Sequence, residues 1–258
     1  MSKCEFTVIT VCYNAEMDIE ATIKSVLSQT YDDFEYIIKD GESSDGTMNI
    51  VHNLTDNNNC VMIIQGKDKG IYDAMNTAAL SAKGEYILFL NAGDVFVNDD
   101  VLYRVSKFIA ENKADIFYGD VTEIEKDRRN FRVYSEKNCK IWYYSMGACL
   151  CHQAMFCKTD LFQNKLFDLK YKVCADREWQ MYHIKNGAIA KAMKFPVAEV
   201  LADGFSRNHI AELEEETCLC VKEYCGEWYI IYRVIAFIKR SKLLHKIIRK
   251  VEGTISYK

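Results

Sequence analysis

Apolar and polar positions alternate in blocks along the first 120 residues. Phe6–Cys12 is an unbroken, largely β-branched run, the pattern of a strand buried on both faces. Behind Asp18, a possible helix cap, Ile19, Ile23, Val26 and Leu27 recur at helical spacing. Phe34–Ile38 predicts a second strand, ending at Lys39, Asp40 and Gly41. Residues 42–47 are polar, and Ser43, Ser44 and Asp45 can cap a helix running to about Leu54. Val61–Ile64 reads as a third strand. Ile71–Ala82 reads as a helix with Gly84 as its C-terminal cap. Glu85–Leu90 predicts a fourth strand that ends at Asn91–Asp94. A helix over Val101–Glu111 and a short strand at Ile116–Tyr118 follow. This alternation predicts an α/β fold, Rossmann-like, with a mostly parallel sheet flanked by helices.

Residues 120–210 are less regular. They suggest strand or loop segments around Arg132–Tyr134, a helix near Lys158–Phe162 and another from about Asp176 to Lys185. Residues 212–250 predict a helical tail. The expected organisation is a domain over 1–210, with halves at 1–119 and 120–210, and a tail over 211–258. In parallel α/β sheets ligands bind beyond the carboxyl ends of the strands. That rule selects Tyr13-Asn14, Asp40-Gly41 and Asn91–Asp94.

Composition narrows the class. The chain has 258 residues, 49% hydrophobic and 27% charged, enough for one sizeable domain with an appendage or two small domains. Eleven cysteines are scattered without a C-x-x-C pattern, which points to thiols in a reducing cytosol rather than a disulfide or zinc framework. The first apolar run is too short for a signal peptide. The net charge of −4 is uneven: the last twenty residues hold seven Lys or Arg against one Glu, so the preceding 238 carry −10. Trp228–Ile238 is apolar but interrupted by Arg233, and too short to span a bilayer. Leu244, Ile247, Ile248 and Val251 then share a helical face, amid Lys239, Arg240, Lys242, Lys246, Arg249 and Lys250. This pattern suits an interfacial helix on anionic lipid. A helix packed on the domain with a solvated basic face is the alternative. No fold or aromatic pattern supports nucleic-acid binding.

Four blocks carry a family resemblance: Thr7–Glu16 (TVITVCYNAE), Ile38–Thr47 (IKDGESSDGT), Asp68–Asn76 (DKGIYDAMN) and Gly84–Asp94 (GEYILFLNAGD). Weaker blocks follow at Cys151–Phe156 and Cys174–Glu178. Together, over about residues 5–205, the chain resembles the family 2 glycosyltransferases with the GT-A fold, especially those of bacterial polysaccharide and O-antigen assembly. The resemblance implies an inverting transfer of sugar from a nucleotide-diphosphate sugar, by family habit a UDP-sugar, to a glycan or lipid-linked acceptor. It also implies a cytoplasmic enzyme, peripheral on the inner face of the plasma membrane if the basic tail holds it there.

The resemblance also implies site roles. Val11 by its backbone, Tyr13 and Glu16 would contact the nucleotide, and Asp40 its base. Lys69 would reach the phosphates, and Asn76, Asn91, Ala92 and Gly93 would complete the donor site. Asp94 would hold Mn²⁺ or Mg²⁺, which neutralises the leaving diphosphate. Asp176 would be the base, with Glu178 as its rival. His152 and Gln153 would face the diphosphate or acceptor, and Trp179 and Tyr182 could shape the acceptor pocket. The chain departs from the family twice. Gly41 stands where a second aspartate is common, and Asn91-Ala92-Gly93-Asp94 stands where the family commonly reads Asp-Ala-Asp-Asp. Those losses leave open a catalytically weak nucleotide-binding or scaffold protein. A nucleotidyltransferase would need a glycine-rich basic loop that the first strand lacks.

Overall fold

The computed structural model describes residues 4–56, 58–125, 128–146, 148–201 and 209–240, with the backbone alone at 237–240. The basic and apolar tail positions from Lys242 to Val251 lie outside them.

Strands β1 (Phe6–Cys12), β2 (Phe34–Asp40), β3 (Val61–Gln65) and β4 (Tyr86–Phe89) form a parallel half in the order β3-β2-β1-β4. Helices α1 (Ile19–Leu27), α2 (Thr47–Thr55) and α3 (Ile71–Ala79) connect them. All seven residues of β1 are buried, as its unpatterned apolar run requires. Strand order reverses at β1, so a crevice opens between the carboxyl ends of β1 and β4.

Beyond β4 the sheet continues without a break but becomes mixed. After β5 (Val95–Phe96) and α4 (Val101–Glu111), β6 (Ile116–Glu125) folds back on the edge strand β7 (Arg128–Arg132) as an antiparallel hairpin. Helix α5 (Ile141–Ser145) and a 3₁₀ turn at His152–Ala154 lead into β8 (Met155–Lys158), which pairs antiparallel with both β4 and β6. Helices α6 (Thr159–Asn164) and α7 (Ala175–Lys185) precede β9 (Ala190–Leu201), which runs parallel to β6 and antiparallel to β5. Strand β9 is irregular where Pro196 faces Asp120: the register with β6 shifts there and Lys194 turns with φ +59°. Proline cannot donate to the ladder, and a bulge accommodates it.

Gly84 does not cap α3, which ends at Ala79 with Leu80 as its C-cap. A Cβ there would lie 2.5 Å from the backbone of Phe6 and Thr7, so only glycine lets this segment lie against β1. Rings from distant segments interlock across the sheet, Phe6 against Phe156 at 5.4 Å and Tyr86 against Phe117 at 5.8 Å. Each such buried ring contributes about 1.5–3 kcal/mol of burial.

Helix α7 carries Asp176 and Glu178 in its first turn and His183 and Lys185 in its last, matching its dipole. Helix α8 (Ile210–Tyr224) packs along it, and α9 (Trp228–Arg240) packs on α8 and α5. Glu216 of α8 accepts the N–H groups of Lys172, Val173 and Cys174, fixing the loop that enters α7. All eleven cysteines are free thiols, as their scatter suggested.

Candidate functional site

The loops beyond β1 and β2 are stitched into one wall. Ser44 N–H donates to Asn14 Oδ1 at 2.8 Å, and Asn14 N–H to Ser43 Oγ at 2.8 Å. Gly46 N–H donates to Glu16 Oε2 at 2.7 Å, and Glu16 N–H to Asp45 Oδ2 at 3.2 Å. Glu16 thus ties one loop to the other. Asp40 is fully buried, and its own turn occupies it: Glu42 N–H and Ser43 N–H donate at 3.1 Å and Ser43 Oγ at 2.5 Å. Tyr13 is 66% exposed at the mouth of this wall, its ring beside Gly41. Val11 lends its carbonyl to Ala92 N–H at 3.4 Å.

Lys39 was not singled out by the sequence, yet it pins the ends of β2 and β3 together. Its buried ammonium reaches Asp68 Oδ2 at 2.5 Å and the carbonyls of Gly66 and Asp40. Lys69 stands exposed, its N–H donating to Asp73 at 2.8 Å. Asn76 lies apart from the donor wall. Its amide both donates to and accepts from the Phe167 backbone at 2.9 Å, clasping α3 to the loop after α6.

At the carboxyl end of β4 the loop Asn91–Asp94 turns with φ +97° at Gly93, where a Cβ would meet Leu201 at 2.9 Å. A carboxylate at position 93 would therefore strain this turn. Asp94, only 6% exposed, accepts Gln153 Nε2 at 3.0 Å and Leu201 N–H at 3.2 Å. Burial pushes its carboxyl up to about 6, against the opposing pull of Gln153 and His152.

Asp176 behaves oppositely. Burial raises its carboxyl, but the bond and charge of His152, the Tyr72 hydroxyl and the Arg177 charge outweigh that and hold it below the usual carboxylate range. Tyr72 donates to Asp176 Oδ1 at 2.9 Å, and its own hydroxyl is pushed far up, by burial first and then by that carboxylate. His152 Nδ1 lies 3.3 Å from Asp176 Oδ2 and its Nε2 lies 3.3 Å from Asn91 Nδ2. With Nδ1 protonated, the ring donates to Asp176 and accepts from Asn91, leaving Asn91 Oδ1 buried without a partner.

The structure thus brings Asn91, Asp94, His152, Gln153 and Asp176 together from segments up to 85 residues apart in sequence. Glu178 is not among them. It is buried on another side of α7, paired with Lys165 at 3.1 Å and bonded by the Tyr224 hydroxyl. Trp179 is likewise core, stacked on Phe162 at 4.3 Å. Tyr72, by contrast, lay inside a recognised block, but a contact spanning 104 residues leaves no local signal.

Among the described residues, no three His, Cys, Asp or Glu side chains cluster as a metal site of their own. The Asn91–Asp94 loop offers one buried carboxylate and one unpartnered amide oxygen. These are hard oxygen donors, suited to Mg²⁺ or Mn²⁺ when a diphosphate supplies further ligands. A separate cavity of about 250 Å³ lies between the β6–β7 hairpin and β9, away from this loop. Its arginines are already paired, Arg129 with Glu199 and Arg132 with Glu123.

Comparison with known proteins bears on this arrangement. The profile of Glycosyl transferase family 2 matches residues 7–169. A PGL/p-HBAD biosynthesis glycosyltransferase of Mycobacterium bovis is 32% identical over 218 residues, 83% of either chain. The Escherichia coli UDP-Glc:α-D-GlcNAc-diphosphoundecaprenol β-1,3-glucosyltransferase WfaP is 36% identical over 121 residues, 47% of either chain. In fold, Staphylococcus aureus TarS (1–349) in complex with UDP superposes with a TM-score of 0.67 at 19% identity, over 94% of this chain and 77% of that one.

Proposed function

This chain belongs to glycosyl transferase family 2 and has the GT-A fold, and from that premise we propose that it transfers a sugar, with inversion, from a UDP-sugar to a hydroxyl of a lipid-linked or glycan acceptor. That it is a glycosyltransferase follows from the family. The donor, the stereochemistry and the residue roles are our reading. The observation that carries it is the pair of carboxylates driven in opposite directions. Asp176 is held ionised, and Asp94 is buried where a bound cation would offset the burial that disfavours its ionised form.

The acceptor oxygen attacks the anomeric carbon as the bond from that carbon to the diphosphate breaks, and the hydroxyl proton passes to Asp176. A carboxylate below its usual range is a weak base. The transfer therefore comes late, when the attacking hydroxyl has become acidic by bonding to carbon. Tyr72 and His152 fix both oxygens of Asp176, so the lone pair that takes the proton is aimed in advance. Asp94 and Asn91 Oδ1 would hold the Mn²⁺ or Mg²⁺, which supplies Lewis-acid stabilisation of the leaving diphosphate. Gln153 keeps Asp94 oriented. Tyr13, the Val11 backbone and the loop shaped by Asp40 would receive the nucleotide, with Lys69 within the same rim.

Names of relatives support the substrate classes: WfaP uses UDP-glucose and a diphosphoundecaprenol acceptor, and the TarS fragment binds UDP. A lipid-linked acceptor would place the protein on the inner face of the plasma membrane. The test is NMR observation of the new glycosidic bond with α-linked UDP-sugars and a prenyl-diphosphate sugar acceptor. A β-linked product supports the reading; an α-linked product, or turnover undiminished in Asp176→Ala, refutes it.

A further inference from the structure

Helix α9 presents an unexpected outer face. Its inner side packs on the domain: Tyr232 is buried, its hydroxyl against the Glu214 carbonyl at 3.4 Å, and Tyr229 and Ala236 lie against the core. On a surface helix the opposite side should be polar. Here Ile230 is 68% exposed, Val234 52% and Ile231 42%, and these three positions fall together at i, i+1 and i+4. Trp228 is exposed at the start of the helix, and Leu219 on neighbouring α8. Glu227 and Arg233 are the charges flanking the stripe.

From this stripe the sequence runs directly into Lys239, Arg240, Lys242, Lys246, Arg249 and Lys250, while the first 238 residues carry −10. We infer that the outer face of α9 is a docking surface for an anionic lipid bilayer, with Ile230, Ile231 and Val234 entering the headgroup boundary. Charge selects this occupant. A body with a net charge of −10 is repelled by anionic lipid, whereas the last twenty residues, at +6, are attracted to it. A second copy gains nothing from this asymmetry, since it carries the same net charge of −4. Among the described residues no helix is long and apolar enough to cross a membrane, so contact would be peripheral. Because α8 joins α9 to the loop entering α7 through Glu216, a bilayer against α9 would hold Asp176 at a fixed place relative to the lipid surface. The inference deepens the lipid-linked acceptor proposed above and rests on it for its purpose.

The test is co-sedimentation of the full chain with vesicles of phosphatidylcholine alone and of phosphatidylcholine with about one third phosphatidylglycerol, in low and high salt. The wild type should bind only the anionic vesicles and release in high salt. Ile230→Ser/Val234→Ser should weaken binding about tenfold or more, with its melting temperature and its UDP binding unchanged, since both positions are exposed. Absence of wild-type binding would overturn the inference. So would equal binding by the serine variant, which would mean that the chain's own basic segment acts without this face. A wild-type dimer that the serine variant dissociates would also overturn it, by showing that a second copy covers the face. UDP binding on the same samples separates the two readings: its failure would sink the donor site and leave the vesicle result standing.

Discussion

Replacing Asp94 by asparagine should stabilise the metal-free protein at neutral and alkaline pH while removing its metal-dependent nucleotide binding. Folding buries this carboxyl and raises it from its ordinary 3.8 to about 6. A rise of that size corresponds to up to about 3 kcal/mol. Its sign follows from which form folding favours. The folded state prefers the protonated acid, so the contribution is fully present below about pH 4 and is lost as pH rises through about 6. Asparagine carries no charge at any pH and keeps an oxygen for Leu201 N–H. The Gln153 amide can turn to accept from the new N–H. The variant should therefore match the wild type near pH 4 and exceed it by up to about 3 kcal/mol at pH 8, a gain of roughly 6–12 °C in melting temperature for a chain of this length. Thermal unfolding in chelator across pH 4–8 measures this. Adding Mn²⁺ and UDP should raise the wild-type midpoint and leave the variant unmoved. A variant less stable than wild type at pH 8, or a difference independent of pH, would refute the reasoning.

Asp176→Asn should lower kcat by about 10²–10⁴-fold and leave UDP affinity unchanged, as single-turnover kinetics and calorimetry would show. Tyr72→Phe removes a hydrogen bond that favours ionised Asp176. Its carboxyl should rise, moving the acid limb of the kcat/KM profile to higher pH and reducing stability above that limb, with the two proteins converging as acid protonates Asp176. Lys39→Met leaves Asp68 without its buried partner and should cost about 3–5 kcal/mol in denaturant titrations. Gly84→Ala forces a Cβ into the Phe6–Thr7 backbone and should reduce soluble yield and midpoint more than alanine at exposed Gly187, where φ +92° strains the backbone but a Cβ meets nothing.

The parallel half of the sheet was readable because its strands are mostly apolar runs and its helices follow them at regular intervals. The second half was not. Strand β5 is two residues long, β8 is four, and β9 contains the proline that argues against a strand until its bulge is seen. The site residues Asp94, His152, Gln153 and Asp176 were legible only through their blocks, since the contacts joining them span 24 to 61 residues. Tyr72 and Glu216, which support Asp176 and the loop before it, and Lys39, which ties β2 to β3, act through polar atoms placed by tertiary packing, and nothing in their neighbours' spacing marks them. Asn76 shows the converse: a residue of a recognised block holds a loop in place, with both ends of its amide already bonded.

The central claim, a donor site completed by a cation, is tested most directly by calorimetric titration of UDP and other nucleoside diphosphates into the wild type and Asp94→Ala, with and without Mn²⁺. The account predicts that UDP binds the wild type with Mn²⁺, and that removing either the ion or the carboxylate abolishes the binding. Binding of no nucleotide, or UDP binding indifferent to both Mn²⁺ and Asp94, would contradict it.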